Sequence, residues 1–307
     1  MMDRNFADEL LDAIAEKGSP VCVGLDPVFE KLPETLRRDT PEEVEQVEML
    51  EEFCEGVLEA VAPFVPAVKI QSAYFERYGP AGVGLYNRMI ARAIDMDLLV
   101  IGDVKRNDIG PTAQAYAQGH LRALQTSIGP TPDVANAITV NGYFGADGLT
   151  PFIDMAAAES RGVFVLVRTS NPSAGQVQDF ADANGSKLYE HVARLVARIG
   201  DGEGLIGESG YSCVGAVVGA TWPDQARQLR EIMPRQIFLV PGFGAQGATA
   251  DDCAASFKAD GTGAIVNSSR GVIFAFWQER FASVDWKQAV AVAAEEFAAQ
   301  IRKAVFK

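Results

Sequence analysis

Short apolar runs recur along the chain, each bounded by turn-forming residues: VCVGL (21–25), AVKIQ (67–71), LLVIGDVK (98–105), AITVN (137–141), VFVLV (163–167), CVGAVVG (213–219), IFLVP (237–241) and AIVN (264–267). They are apolar on both faces, the pattern of strands buried in a parallel sheet. Between them lie segments with helical periodicity, such as 42–61, 82–95, 111–125, 186–199, 223–232 and 284–304. Strands alternating with helices predict an α/β fold, and eight such units favour a closed (β/α)8 (TIM) barrel over an open doubly wound sheet. A charged amphipathic helix precedes the first strand, in MMDRNFADELLDAIAEKG. No internal break reads as a linker, so residues 1–307 are expected to form one catalytic domain with extended loops. The longest stretch without periodicity is RTSNPSAGQVQDFADANGSK (168–187), and a connection of that length in a compact fold is often functional.

Composition narrows the function. A hydrophobic content of 48% and a charged content of 22% are ordinary for a globular enzyme. The net charge of −14 argues against nucleic-acid binding, which needs a basic footprint, but permits a small anionic ligand where cations gather locally. No run approaches the ~18 apolar residues of a membrane span, and the first helix lacks a secretory core, so a cytoplasmic location is expected. Four dispersed cysteines, Cys22, Cys54, Cys213 and Cys253, fit reduced buried thiols. Neither histidine, His120 or His191, has metal-ligand spacing to other histidines or cysteines. Neither a metal nor a cofactor is expected.

In a barrel the site lies at the C-terminal ends of the strands. The first strand ends in GLD, placing Asp26 there; the second carries Lys69; the third carries Asp103 and Lys105. Alternation puts Asp103 and Lys105 on one face, and Asp108 follows on the turn into the next helix. A solvated salt-bridge cluster explains any one of these residues alone. Charged groups ending three adjacent strands point instead to a site in which two lysines make buried acids tolerable. VPGFGAQGAT (240–249) and VNSSRGV (266–272), with Arg270, end the last two strands and read as a phosphate site. Neither matches a Rossmann or P-loop motif.

DVKRNDIG (103–110) resembles the D-x-K-x-x-D-I signature of the orotidine 5'-phosphate decarboxylase family. GLD, Lys69, RTSNPSAG, VGAT, PGFGAQG and VNSSRG follow that family's order over nearly the whole chain, with additions around 27–59 and 168–187 as in its longer bacterial members. The resemblance implies metal-free loss of CO2 from orotidine 5'-phosphate to give UMP, the last step of de novo pyrimidine synthesis. It implies that Lys105 protonates C6, that Asp103 sits against the substrate carboxylate, and that Lys69 and Asp108 complete the charge network. It also implies that Asp26 and Lys69 reach the ribose, Ser170 the pyrimidine amide, and Gln246 and Arg270 the phosphate. Asp108 and Thr112 would come from the partner of a homodimer. Two alternatives stay open: a related magnesium-dependent sugar-phosphate decarboxylase or aldolase, and a barrel that binds a nucleotide without turnover. The sugar-phosphate relatives use a carboxylate on the second strand as a metal ligand, where this chain has Lys69.

Overall fold

The computed structural model describes residues 4–38, 42–123, 125–126, 129–130, 133–244 and 246–306. Eight parallel strands close into a barrel in sequential order. They are β1 (Val21–Leu25), β2 (Ala67–Gln71), β3 (Leu99–Arg106) and β4 (Ala137–Asn141), then β5 (Gly162–Arg168), β6 (Ser212–Val218), β7 (Gln236–Pro241) and β8 (Ala264–Ser268). All of β1 and β6 is buried, and β2 and β4 are buried except at their last residues. Such two-sided burial produces near-continuous apolar runs in place of an alternating pattern.

Apart from four-residue turns, the helices are α1 (Phe6–Lys17), α2 (Glu43–Val61), α3 (Gly79–Ile94), α4 (Gly110–Leu121) and α5 (Ala146–Ala158). They continue with α6 (Leu188–Gly200), α7 (Pro223–Ile232), the short α8 (Ala250–Ala254) and α9 (Trp286–Val305). Helix α3 starts three residues before the periodic segment at 82–95, because Gly79 and Pro80 supply a left-handed turn and an N-terminal proline. Helix α5 carries Pro151 in its interior, a residue that argues against a helix when only the sequence is read.

The N-terminal end of the barrel is held shut by two devices. Asn5 caps α1, and Phe6 packs edge-on against Phe164 with ring centroids 6.0 Å apart. A Cβ at Gly162 would fall 2.2 Å from the Phe6 ring, so only glycine lets α1 lie there. Asp8 accepts the backbone N–H groups of Glu208 and Ser209. Nearer β7 and β8, buried Arg230 donates to the carbonyls of Met233, Gln236, Ser256 and Gly263 at 2.6–3.0 Å. Its neighbours there are carbonyl dipoles, and burial lowers its pKa to about 10.

The segment after β5 is ordered despite its lack of periodicity. It contains a 3-10 turn (Pro172–Ala174), a short helix (Gly175–Gln178) and a bridge between Ala181 and Lys187. Arg168, fully buried, pins its root: the guanidinium donates to Gln225 (2.6 Å), pairs with Asp179 (3.2 Å) and lies 4.3 Å from the Trp222 ring centroid. All four cysteines are buried and free. Among the described residues no helix is long and apolar enough to cross a membrane.

Candidate active site

A cavity of about 400 Å³ opens at the C-terminal ends of the strands. Its floor is charged. Asp103, on β3, is 6% exposed and accepts four hydrogen bonds. Lys69 Nζ (2.7 Å) and Gln71 Nε2 (2.9 Å) reach Oδ2, while Lys105 Nζ (2.5 Å) and the Thr139 hydroxyl (2.8 Å) reach Oδ1. Those donors fill the acceptor capacity of a carboxylate. Burial disfavours the Asp103 anion, but Lys69 and Lys105 outweigh it and hold the carboxyl well below the usual range. Burial likewise works against the Lys69 ammonium, and Asp103 with Asp26 raises its pKa above the ordinary lysine value. Asp103 and Lys69 are therefore both ionised throughout the neutral range. Lys105, by contrast, has its side chain 45% exposed and stands at the cavity surface.

Lys105 reaches Asp103 by an irregular backbone. β3 and β4 are in register at Gly102↔Ile138 and again at Arg106↔Val140, so β3 bulges between them. Lys105 takes φ 45 within the bulge. Simple alternation anticipated the shared face of Asp103 and Lys105 but not the left-handed turn that delivers it.

Asp26 lies beside Lys69, with Nζ–Oδ1 3.9 Å. Its Oδ1 is buried and has no hydrogen-bond donor among the described residues, leaving an acceptor for a hydroxyl. Ser170, Gln246 and Arg270 all line the cavity. Ser170 is set by close packing, since a Cβ at Gly219 would come within 2.9 Å of it. In the glycine-rich turn after β7, Gly242, Gly244 and Gly247 all have positive φ (114, 68 and 90), a path open to glycine; Ala245 within that turn is outside the described residues.

Asp108 and Thr112 are not brought to the cavity of this chain. Asp108 is half-buried and accepts the N–H of Ile109 (2.9 Å), and Thr112 is exposed on the first turn of α4. The four-member charge network read along the chain is thus three-membered within this chain, with Asp26 alongside. Gln71 and Thr139 join it unforeseen, and Asn267 lines the same cavity. Gln71 was legible, being two residues past Lys69 on the same strand face. Thr139 carried no signal beyond a hydroxyl amid apolar neighbours, and Asn267 only its place near the end of β8. Among the described residues there is no group of three His, Cys, Asp or Glu side chains able to hold a metal ion.

Fold and cavity together define a (β/α)8 barrel whose C-terminal mouth holds a cluster of lysine and aspartate charges. The model of the orotidine 5'-phosphate decarboxylase / HUMPS family matches residues 19–278. The chain is 43% identical over 303 residues to the orotidine 5'-phosphate decarboxylase of Rhodopirellula baltica, covering 97% of this chain and 99% of that protein. It is 40% identical over 274 residues to the enzyme of the same name from Deinococcus radiodurans, covering 89% and 91%. The solved structure of the Leishmania donovani OMP decarboxylase superposes with a TM-score of 0.74 at 29% identity, covering 99% of this chain and 100% of that one. The chain belongs to the orotidine 5'-phosphate decarboxylase family.

Proposed function

We propose that this protein converts orotidine 5'-phosphate to UMP and CO2, with Lys105 supplying the proton that replaces the carboxylate at C6. The observation that carries this reading is the Lys69–Asp103–Lys105 cluster on the floor of a cavity that Gln246 and Arg270 also line. When CO2 leaves, negative charge develops at a carbon with no carbonyl placed to delocalise it. An ammonium already held nearby stabilises that charge without reorganisation and then donates its proton. Asp103 is the anion that holds Lys105 there. Its four acceptor positions are taken, so an incoming carboxylate finds no proton to share and meets like charge. Asp26, with its undonated oxygen, takes a ribose hydroxyl. Arg270 and the turn after β7 take the phosphate, whose binding is remote from C6 and can assist the reaction there. Ser170 takes the pyrimidine amide.

The functional unit is a homodimer in which Asp108 and Thr112 complete the partner's site. Ile109 (55% exposed), Tyr143 (78%) and Phe144 (45%) are large apolar side chains left open to solvent. They lie around Asp108, because a Cβ at Gly148 would touch both Phe144 (2.7 Å) and the Asp108 carbonyl (3.2 Å). An exposed apolar patch of this kind marks an interface. Mixing Lys105→Ala with Asp108→Asn tests it: shared sites regenerate one intact centre per heterodimer, restoring about a quarter of wild-type activity after random exchange. No restoration counts against sharing.

The activity is tested by following loss of orotate absorbance with EDTA present. Decline with UMP as product is expected. Turnover of a sugar phosphate that EDTA abolishes would instead assign the chain to the metal-dependent relatives.

A further inference from the structure

The bulge in β3 contains a link that the lysine–aspartate cluster does not explain. The N–H of Lys105 donates to the Thr139 hydroxyl (3.0 Å), and that hydroxyl donates its single proton to Asp103 Oδ1 (2.8 Å). Because Oγ1 is already an acceptor from Lys105, the direction of the relay is set: backbone N–H to hydroxyl to carboxylate. Thr139 is 1% exposed, and its neighbours on β4, Ile138 and Val140, are wholly buried. Valine has the same shape and equal strand preference, so packing alone does not call for the hydroxyl. What the hydroxyl adds is a join between two parts of the site: the backbone of Lys105 at φ 45, and the carboxylate that receives Lys105 Nζ.

We propose that Thr139 is a positioning residue for proton delivery, holding the Lys105 backbone in its left-handed turn and orienting Asp103 so that the ammonium is presented at one place. This rests on the decarboxylase reading above. Lys105 has a half-exposed side chain on a long flexible stem, so its restraint comes from its two ends: Asp103 at Nζ and Thr139 at the backbone N–H. Removing the hydroxyl loosens both at once, since Asp103 also loses a donor. The expected loss lies in the chemical step and not in binding, because the ribose and phosphate contacts are carried by other strands.

Steady-state kinetics on wild type, Thr139→Val and Thr139→Ser tests the idea, with UMP affinity measured by calorimetry and folding checked by circular dichroism. Displacing a catalytic group by about 1 Å costs about 100-fold, so kcat of Thr139→Val is expected to fall by that order. KM and UMP affinity should stay within about threefold, the pattern of an interaction that matters only in the transition state. Thr139→Ser, which keeps the hydroxyl, should recover most of kcat. An unchanged kcat in folded Thr139→Val overturns the proposal, and so does a Thr139→Ser variant as slow as the valine one. Should the valine variant fail to fold, Thr139→Cys replaces it under the same criteria. Wild-type protein that does not decarboxylate orotidine 5'-phosphate removes the underlying reading, and this proposal with it. Slow turnover confined to Thr139 variants bears on the positioning role alone.

Discussion

Replacing Asp103 with asparagine removes the anion around which the floor of the cavity is organised. Both Asp103 and Lys69 are only 6% exposed, and they meet at 2.7 Å. Asparagine keeps one acceptor but turns its amide N–H2 toward an ammonium on one side or the other. Lys69 is left with Asp26 at 3.9 Å as its remaining anion. Breaking a buried ion pair by deleting one partner costs about 3–5 kcal/mol, because the other charge stays desolvated. The Lys105 side adds little, since its side chain is 45% exposed. A chain of 307 residues unfolds with an entropy of about 0.6 kcal/mol/K, so the midpoint of thermal unfolding should drop by about 5–8 °C. Melting both proteins at pH 7 by circular dichroism reads this directly. The double variant Lys69→Met/Asp103→Asn should regain part of the loss, because the buried ammonium is gone, while Asp26, which loses its neighbour Lys69, keeps 19% of its side chain open to solvent. Activity should fall in both variants, by at least about 100-fold in the single one. A single variant that melts within about 1 °C of wild type, or above it, refutes the reasoning. Lys69 would then owe its stability to water or to Asp26, and the central role given to Asp103 would be wrong.

Other outcomes follow from the same geometry. Lys105→Ala should reduce kcat by at least about 100–1,000-fold in a folded protein that still binds UMP, as seen by titration calorimetry. Arg270→Met should raise KM for orotidine 5'-phosphate by about tenfold or more, while a nucleoside lacking the phosphate is processed equally by both proteins. His120 has its pKa lowered to about 4, by burial first and by Arg106 second. In the unfolded chain the value is about 6.5, so the unfolded state takes up more protons between the two. The stability contributed by neutral His120 is therefore complete above about pH 6.5 and is lost as the pH falls toward 4; His120→Asn should flatten that limb of a midpoint-against-pH curve. If Asp108 completes a partner's site as proposed, Phe144→Asp should shift sedimentation toward the monomer and lower activity per chain.

The barrel was legible because strands buried on both faces leave uninterrupted apolar runs, and each of the eight runs proved to be a strand, shifted at an end by a residue or so. Helix α5 was not, since Pro151 and the left-handed Gly145 before it (φ 79) both mimic a loop. The order in 168–187 was equally hidden. It comes from Arg168, whose partners Asp179, Trp222 and Gln225 are distant in sequence or belong to other elements. In the site, strand alternation located Lys69, Asp103 and Lys105, and would have located Gln71. Thr139 eluded it because a lone hydroxyl in a buried strand has many ordinary explanations. The separation of Asp108 from Asp103 within one chain is a matter of loop direction, on which residue spacing is silent.

The left-handed backbone at Lys105 sets two kinds of selection against each other. A lysine at φ 45 carries a conformational cost of about 1 kcal/mol that asparagine or glycine would largely escape. The ion pair that offsets this is half-exposed and modest. A laboratory screen that ranks variants of this enzyme by heat resistance alone will thus tend to enrich Lys105→Gly and Lys105→Asn, which give up turnover for an easier backbone. Thermostabilisation here needs position 105 held constant or turnover scored in the same round. More generally, Lys105 is, among the described residues, the non-glycine side chain that combines positive φ with a place in the cavity, and it is where a lineage free to lose the reaction would be expected to change first.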